Sequence, residues 1–126
     1  MAKSHEEWLR QADYDMDTAE YLLKSGSNIY AVFMCYSSVE KALKGLYRFT
    51  LGRIPPRTTN LIALLDRTNI KPSEGIFRFL VKLNSTYPTT LYPEDLAVAQ
   101  ERYTERVARG YLERGKQTLE WLKAQS

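Results

Sequence analysis

A single cysteine, Cys35, and a single histidine, His5, are all that these 126 residues offer to thiol or imidazole chemistry. One cysteine cannot close an internal disulfide, which suits a reducing compartment. A structural zinc site takes four Cys, His or carboxylate ligands, so zinc is not expected. His5 stands near a chain end, where ordering is weakest, so histidine-based acid–base or nucleophilic catalysis is not expected either. No apolar run approaches the ~20 residues that span a bilayer, and Met1 to Glu7 shows no charged-then-apolar leader. Neither G-x-x-x-x-G-K-S/T nor G-x-G-x-x-G occurs, so a ready-made backbone cradle for phosphate is missing. The expectation is a soluble cytoplasmic protein without metal or cofactor.

Charged residues at 26% and hydrophobic residues at 44% lie near globular averages, which excludes disorder. The length suits one domain over residues 1–126, able to bury roughly two-thirds of its unfolded surface. Net charge is only +3, too mild to mark a nucleic-acid binder by itself. Its distribution says more: residues 1–40 hold seven acids against three bases, whereas Lys41 to Leu65 holds Lys41, Lys44, Arg48, Arg53 and Arg57 and no acid. Such a basic segment attracts a phosphate ligand or an acidic partner, or serves simply as a solvated face.

Apolar spacing is helical nearly throughout. Ser4 and Glu7 form a capping-box pattern that opens a helix running to Lys24, with Gly26 as its stop. Its Asp13-Tyr14-Asp15-Met16-Asp17 run imitates a calcium loop, but the required glycine and glutamate positions hold Thr18 and Lys24. On a helix, Asp13 and Asp17 share a face and Asp15 points away.

A second helix is predicted from Ser27 or Asn28 to Thr50. Ala31, Cys35, Ser38, Ala42 and Gly45 form a seam of small side chains, and Val32, Tyr36, Val39, Leu43 and Leu46 a bulky seam beside it. The small seam lets another backbone come close, so this helix should be central and Cys35 a buried, inert thiol. Ser37, Glu40, Lys41, Lys44 and Arg48 lie opposite and are expected to face water or a partner.

Gly52 to Arg57, with Pro55 and Pro56, breaks the helical pattern. A short helix carrying Leu61, Leu64 and Leu65 follows, capped from among Thr58, Thr59 and Asn60. Another opens at Pro72-Ser73 with Ile76, Phe79, Leu80 and Leu83 inward. Tyr87 to Pro93 is predicted as loop, and a last helix starts between Glu94 and Thr104 and reaches Ala124. Its buried side is marked by Tyr103, Val107, Tyr111, Thr118 and Leu122. Gly115 inside it costs ~1 kcal/mol against alanine, which predicts a close helix crossing there. Glu101, Arg102, Glu105, Arg106 and Arg109 form an exposed row of alternating sign. Tyr30, Tyr47, Tyr87 and Tyr92, among nine tyrosines, fall near helix ends or loops.

Four of these segments, in order along nearly the whole chain, resemble one family. Trp8-x-x-x-Ala12-x-x-Asp15-x-x-x-Ala19-x-x-Leu22 is similar to the first helix of HEPN-domain proteins. Val39-Glu40-Lys41-Ala42-Leu43-Lys44-Gly45-Leu46 resembles the core of the family's second helix. Pro56-Arg57-Thr58-Thr59-Asn60-Leu61 resembles its Pro-Arg-Thr-His-Asp-Leu turn, and Leu91-Tyr92-Pro93-Glu94 its Arg-Tyr-Pro-Asp segment. The resemblance implies an all-α, up-and-down bundle of four or five helices, usually dimeric, of the short prokaryotic kind commonly paired with a minimal nucleotidyltransferase. Many members are RNase toxins or nucleotide binders. The RNases use an arginine followed by four to six residues and a histidine, a motif missing here. Thr59 stands where the turn usually has histidine, and Leu91 where the last segment usually has arginine.

The expectation is therefore a non-catalytic HEPN protein, a homodimer that binds a nucleotide or RNA, or partners a nucleotidyltransferase in a toxin–antitoxin-like pair. Glu40, Lys41 and Lys44 would line its working face. Lys44 and Arg57 would meet phosphates, and Tyr92 would stack on a base or close the cleft. The alternative is an RNase toxin with a degenerate site that depends on Arg102 or Arg106. A plainer reading has Glu40 and Lys44 paired at i, i+4 only to stabilise the helix.

Overall fold

Residues 2–126 are described by a computed structural model, in which seven helices follow one another: α1 His5–Lys24, α2 Asn28–Leu51, α3 Leu61–Thr68, α4 Glu74–Asn84, α5 Thr86–Leu91, α6 Leu96–Arg102 and α7 Glu105–Ala124. Ser4 starts α1 by accepting the Glu7 amide at 3.1 Å. The expected return bond from Glu7 is not made; its carboxylate accepts from Arg10 and Gln11 instead. Gly26, at φ +86°, turns the chain into α2 in a conformation that a β-carbon would strain.

The antiparallel return of α2 along α1 rests on the small seam, all five members of which are buried, as are all five of the bulky seam. Ser38 donates to the Ala12 carbonyl at 2.7 Å. A β-carbon on Gly45 would lie 3.0 Å from Trp8 Cβ. Helix α7 closes against both: a β-carbon on Gly115 would collide with Cys35 Sγ and come within 3.3 Å of Met16 Cε. The central place of α2 and the close crossing at Gly115 thus follow from side-chain size. Burial pushes the Cys35 thiol up to about 12, and it donates weakly to the Tyr111 carbonyl at 3.4 Å.

The all-α bundle stands, with more segments than the four or five expected. Tyr87 to Leu91 is helix rather than loop. Pro88 falls in the first turn of α5, where its missing amide costs nothing. Thr86 and Thr90 are buried there by donating to the Leu83 and Thr86 carbonyls, each at 2.7 Å. The last predicted helix is two, because Asp95 caps α6 and Thr104 caps α7. Within α7, Val107 is exposed, and Ala108, Leu112, Gly115, Thr118, Leu119 and Leu122 are the buried side. Asn60 caps α3, accepting from the Ile62 and Ala63 amides.

Candidate functional site

On α2, Ser37, Glu40, Lys41 and Lys44 follow at i, i+3, i+4 and i+7, which places them on one face. That face was expected to meet water or a partner, yet Lys44, Glu40 and Lys41 side chains are only 15%, 16% and 27% exposed. Two neighbours cover it from opposite edges and divide its charges.

On one edge stands α1. Lys41 Nζ lies 2.8 Å from Asp15 Oδ2, and Ser37 Oγ donates to the same oxygen at 2.7 Å. Asp15 is buried at 4% exposure. As expected, Asp15 points away from the face of Asp13 and Asp17, and that direction on α1 is the direction of α2 rather than of solvent. A carboxylate this deep needs both a charge partner and a hydrogen-bond donor. Lys41 supplies the first and does not line the cleft described next.

On the other edge, the chain after α2 and helix α5 leave a cleft of about 380 Å³, lined by Phe33, Tyr36, Glu40, Lys44, Arg57 and Tyr87 among others. The Tyr36 hydroxyl donates to the Thr59 carbonyl and lies 3.3 Å from Glu40 Oε2. Burial pushes that hydroxyl's pKa upward, with the Glu40 charge adding to the effect. Burial likewise raises Glu40, while Lys44 and the Tyr36 hydroxyl pull it back. Lys44 Nζ stands 3.9 Å from Glu40 Oε2, so the i, i+4 pair exists at the edge of ion-pair range. Arg57 is exposed and enters no ion pair among the described residues. Phe33, Tyr36 and Tyr87 form an aromatic wall, with centroids 5.2 Å apart for Tyr36–Tyr87 and 6.3 Å for Phe33–Tyr87.

Of the five residues expected at a site, Glu40, Lys44 and Arg57 share this cleft. Lys41 does not, and Tyr92, 71% exposed, lines a different hollow with Pro88, Val98 and Arg102. The aromatic wall was not read as a site from the sequence. Tyr36 was assigned to the bulky seam, which its ring joins, while its hydroxyl reaches the cleft. Phe33 carried no signal beyond its spacing of three before Tyr36. The cleft presents two cations, one carboxylate and ring surface, and the Ser37 hydroxyl is already engaged as a donor to Asp15. His5 is elsewhere, its Nδ1 2.8 Å from Glu6 and its ring 4.8 Å from Phe49.

These features define a small all-α bundle with a polar, aromatic-walled cleft on its central helix. A family model described as HEPN domain matches residues 5–125, and the chain belongs to the HEPN domain family. TT1696 from Thermus thermophilus has a similar fold, with a TM-score of 0.85 at 24% identity over 97% of this chain and 98% of that one. ST0689, described as an archaeal HEPN homologue, is 30% identical over 98% of both chains, with a TM-score of 0.79. No curated protein matches the chain. Among the described residues, no helix is long and apolar enough to cross a membrane, and no group of three or more His, Cys, Asp or Glu is placed to hold a metal.

Proposed function

We propose that this chain is a non-catalytic HEPN protein that takes a nucleotide in the Glu40–Lys44–Arg57 cleft and works as the partner of a minimal nucleotidyltransferase. The observation that carries the reading is Arg57, an exposed guanidinium without an internal carboxylate partner, at the mouth of an aromatic-walled cleft. Its planar fork suits two phosphate oxygens, and Lys44 adds a point charge. Tyr87 and Phe33 offer ring faces to a base. Glu40 is an acceptor for ribose hydroxyl or base amino groups. Pairing with a nucleotidyltransferase rests on family membership, as does a homodimer; Tyr92, Leu96 and Val98, each more than half exposed around α6, supply apolar surface for either partner.

Titration of the purified chain with nucleoside mono-, di- and triphosphates tests the cleft. Arg57→Gln and Lys44→Gln should each weaken binding about tenfold or more, the loss of a charge-assisted hydrogen bond of roughly 1.5 kcal/mol. Glu40→Gln should tighten phosphate binding by removing a like charge. In the parent chain, affinity should rise as pH falls through the raised Glu40 pKa, and this rise should vanish in Glu40→Gln. Stability follows the same sign at this group. The native chain holds the proton more tightly than the unfolded chain, so its burial penalty is full above the raised pKa and fades toward pH 4.5. A chain that binds no nucleotide and does not co-purify with a co-expressed nucleotidyltransferase would remove the proposal. The RNase alternative has less support, because no imidazole stands in the cleft and Arg102 lines the separate hollow beside Tyr92.

A further inference from the structure

Helix α1 begins and α2 ends at the same end of the bundle, where the ring centroids of His5 and Phe49 lie 4.8 Å apart. This end carries three large apolar side chains in the open: Phe49 is 52% exposed, Leu51 40% and Ile54 69%. The backbone builds that exposure in. Gly52, at φ +64°, ends α2 in a left-handed conformation and turns the chain back. A β-carbon placed on it would meet nothing within 4 Å, so the turn is a projecting tip. Pro55 is buried behind the tip and keeps the preceding Ile54 out of helical backbone.

Cations flank these side chains. Arg53 is exposed on the tip, and Lys3 is exposed with its ammonium 4.0 Å over the Trp8 ring. Together with Arg48 they enter no ion pair among the described residues. Arg48 donates to the Gly52 carbonyl at 2.8 Å, which sets a positive charge against the negative end of the α2 dipole. No acid occurs from Lys41 to Leu65. The acids at the start of α1 are engaged: Glu6 lies 2.8 Å from His5 Nδ1, and Glu7 accepts from Arg10 and Gln11.

We infer that this end of the molecule docks on the surface of an anionic bilayer, with Phe49, Leu51 and Ile54 entering the headgroup region and Lys3 and Arg53 meeting lipid phosphates. A peripheral attachment of this kind needs no spanning helix. Charge complementarity selects an anionic surface. Three part-exposed side chains on a tip offer a few hundred Å² at most, against about 800 Å² per partner in a stable protein interface. A bilayer asks for no such area or fitted counterpart, because apolar insertion and headgroup attraction simply add. A nucleic acid would engage the cations and leave the apolar side chains in water. The inference does not depend on the nucleotide cleft, since none of these residues lines it.

Co-sedimentation of the purified chain with mixed phosphatidylglycerol–phosphatidylcholine vesicles, and with phosphatidylcholine vesicles alone, tests it. The chain should bind the anionic vesicles and not the neutral ones, and added salt should weaken the binding. Leu51→Ser with Ile54→Ser should weaken it about tenfold through lost apolar burial. Lys3→Gln with Arg53→Gln should weaken it tenfold or more, at about fivefold per cation near the surface. Phe49 is left in place because it packs on His5, and Arg48 because it holds Gly52. Phe77→Ser with Val81→Ser, and Lys24→Gln with Arg67→Gln, change exposed positions elsewhere and should leave binding near the parent value. Equal loss in tip and control variants, parent-level binding by the Leu51 and Ile54 double variant, or no binding to anionic vesicles at low salt would overturn the inference. So would a protein partner that the same double variant releases while vesicles stay unbound. Circular dichroism of each variant separates lost binding from lost folding, and nucleotide titration of the same variants shows whether the cleft reading fails independently.

Discussion

Lys41→Ala should destabilise the fold by about 3 kcal/mol, the low end for a buried pair broken from one side. Chemical denaturation checks it, and the melting temperature should fall on the order of 10 °C. The cause is the carboxylate left behind: the Asp15 side chain is 5% exposed and would retain only the Ser37 hydroxyl. Asp15→Ala should cost about half as much, because the Lys41 side chain, 27% exposed, can turn its ammonium to water. The double variant should lose less than the sum, with a coupling of about 1–2 kcal/mol. Nucleotide affinity of the folded Lys41→Ala chain should stay within about twofold of the parent, because Lys41 does not line the cleft. A large loss of affinity with intact stability would return Lys41 to the working face.

Gly115→Ala should lower stability by about 2 kcal/mol. Overpacking a close-packed site costs up to about 3 kcal/mol, and the better helix propensity of alanine returns about 1. The added methyl would collide with Cys35 Sγ at the place where α7 meets α2, and Met16 of α1 closes the third side. Cys35→Ala should therefore be mildly destabilising alone and should rescue Gly115→Ala, since the added methyl fills the space that the lost sulfur leaves. Thermal melts of the four proteins in this cycle measure the effect. Additive losses would mean that the crossing relaxes elsewhere.

These expectations separate what could be read along the chain from what could not. The ten seam residues of α2, the cap Ser4, the turn at Gly26 and the crossing at Gly115 were legible because each follows from local geometry, while the cap of α3 was narrowed only to Thr58, Thr59 or Asn60. A period of 3.6 residues, a side-chain oxygen near free amides and a missing β-carbon act within a few residues. Helix α5 was misread because the sequence from Tyr87 to Pro93 holds two prolines, and only its placement beside buried Thr86 and Thr90 makes Pro88 a first-turn residue. The row Glu40, Lys41, Lys44 was found correctly as one face of a helix. Its division between a buried ion pair and a cleft was not, because that depends on which neighbour lies against which edge.

The order of small, bulky and charged side chains by itself determined an all-helical bundle with α2 at its centre, since those choices are written in the spacing of one helix. Tertiary packing alone decided that Asp15 would go inside to meet Lys41, that Arg57 would stand unpaired beside Lys44, and that His5 would meet Phe49 at one end of the bundle. Residues 26 positions apart in Asp15 and Lys41, or 44 in His5 and Phe49, carry no mutual signal in a linear pattern. Burial and field strength belong to the distances between helices, and those exist only after the chain has folded.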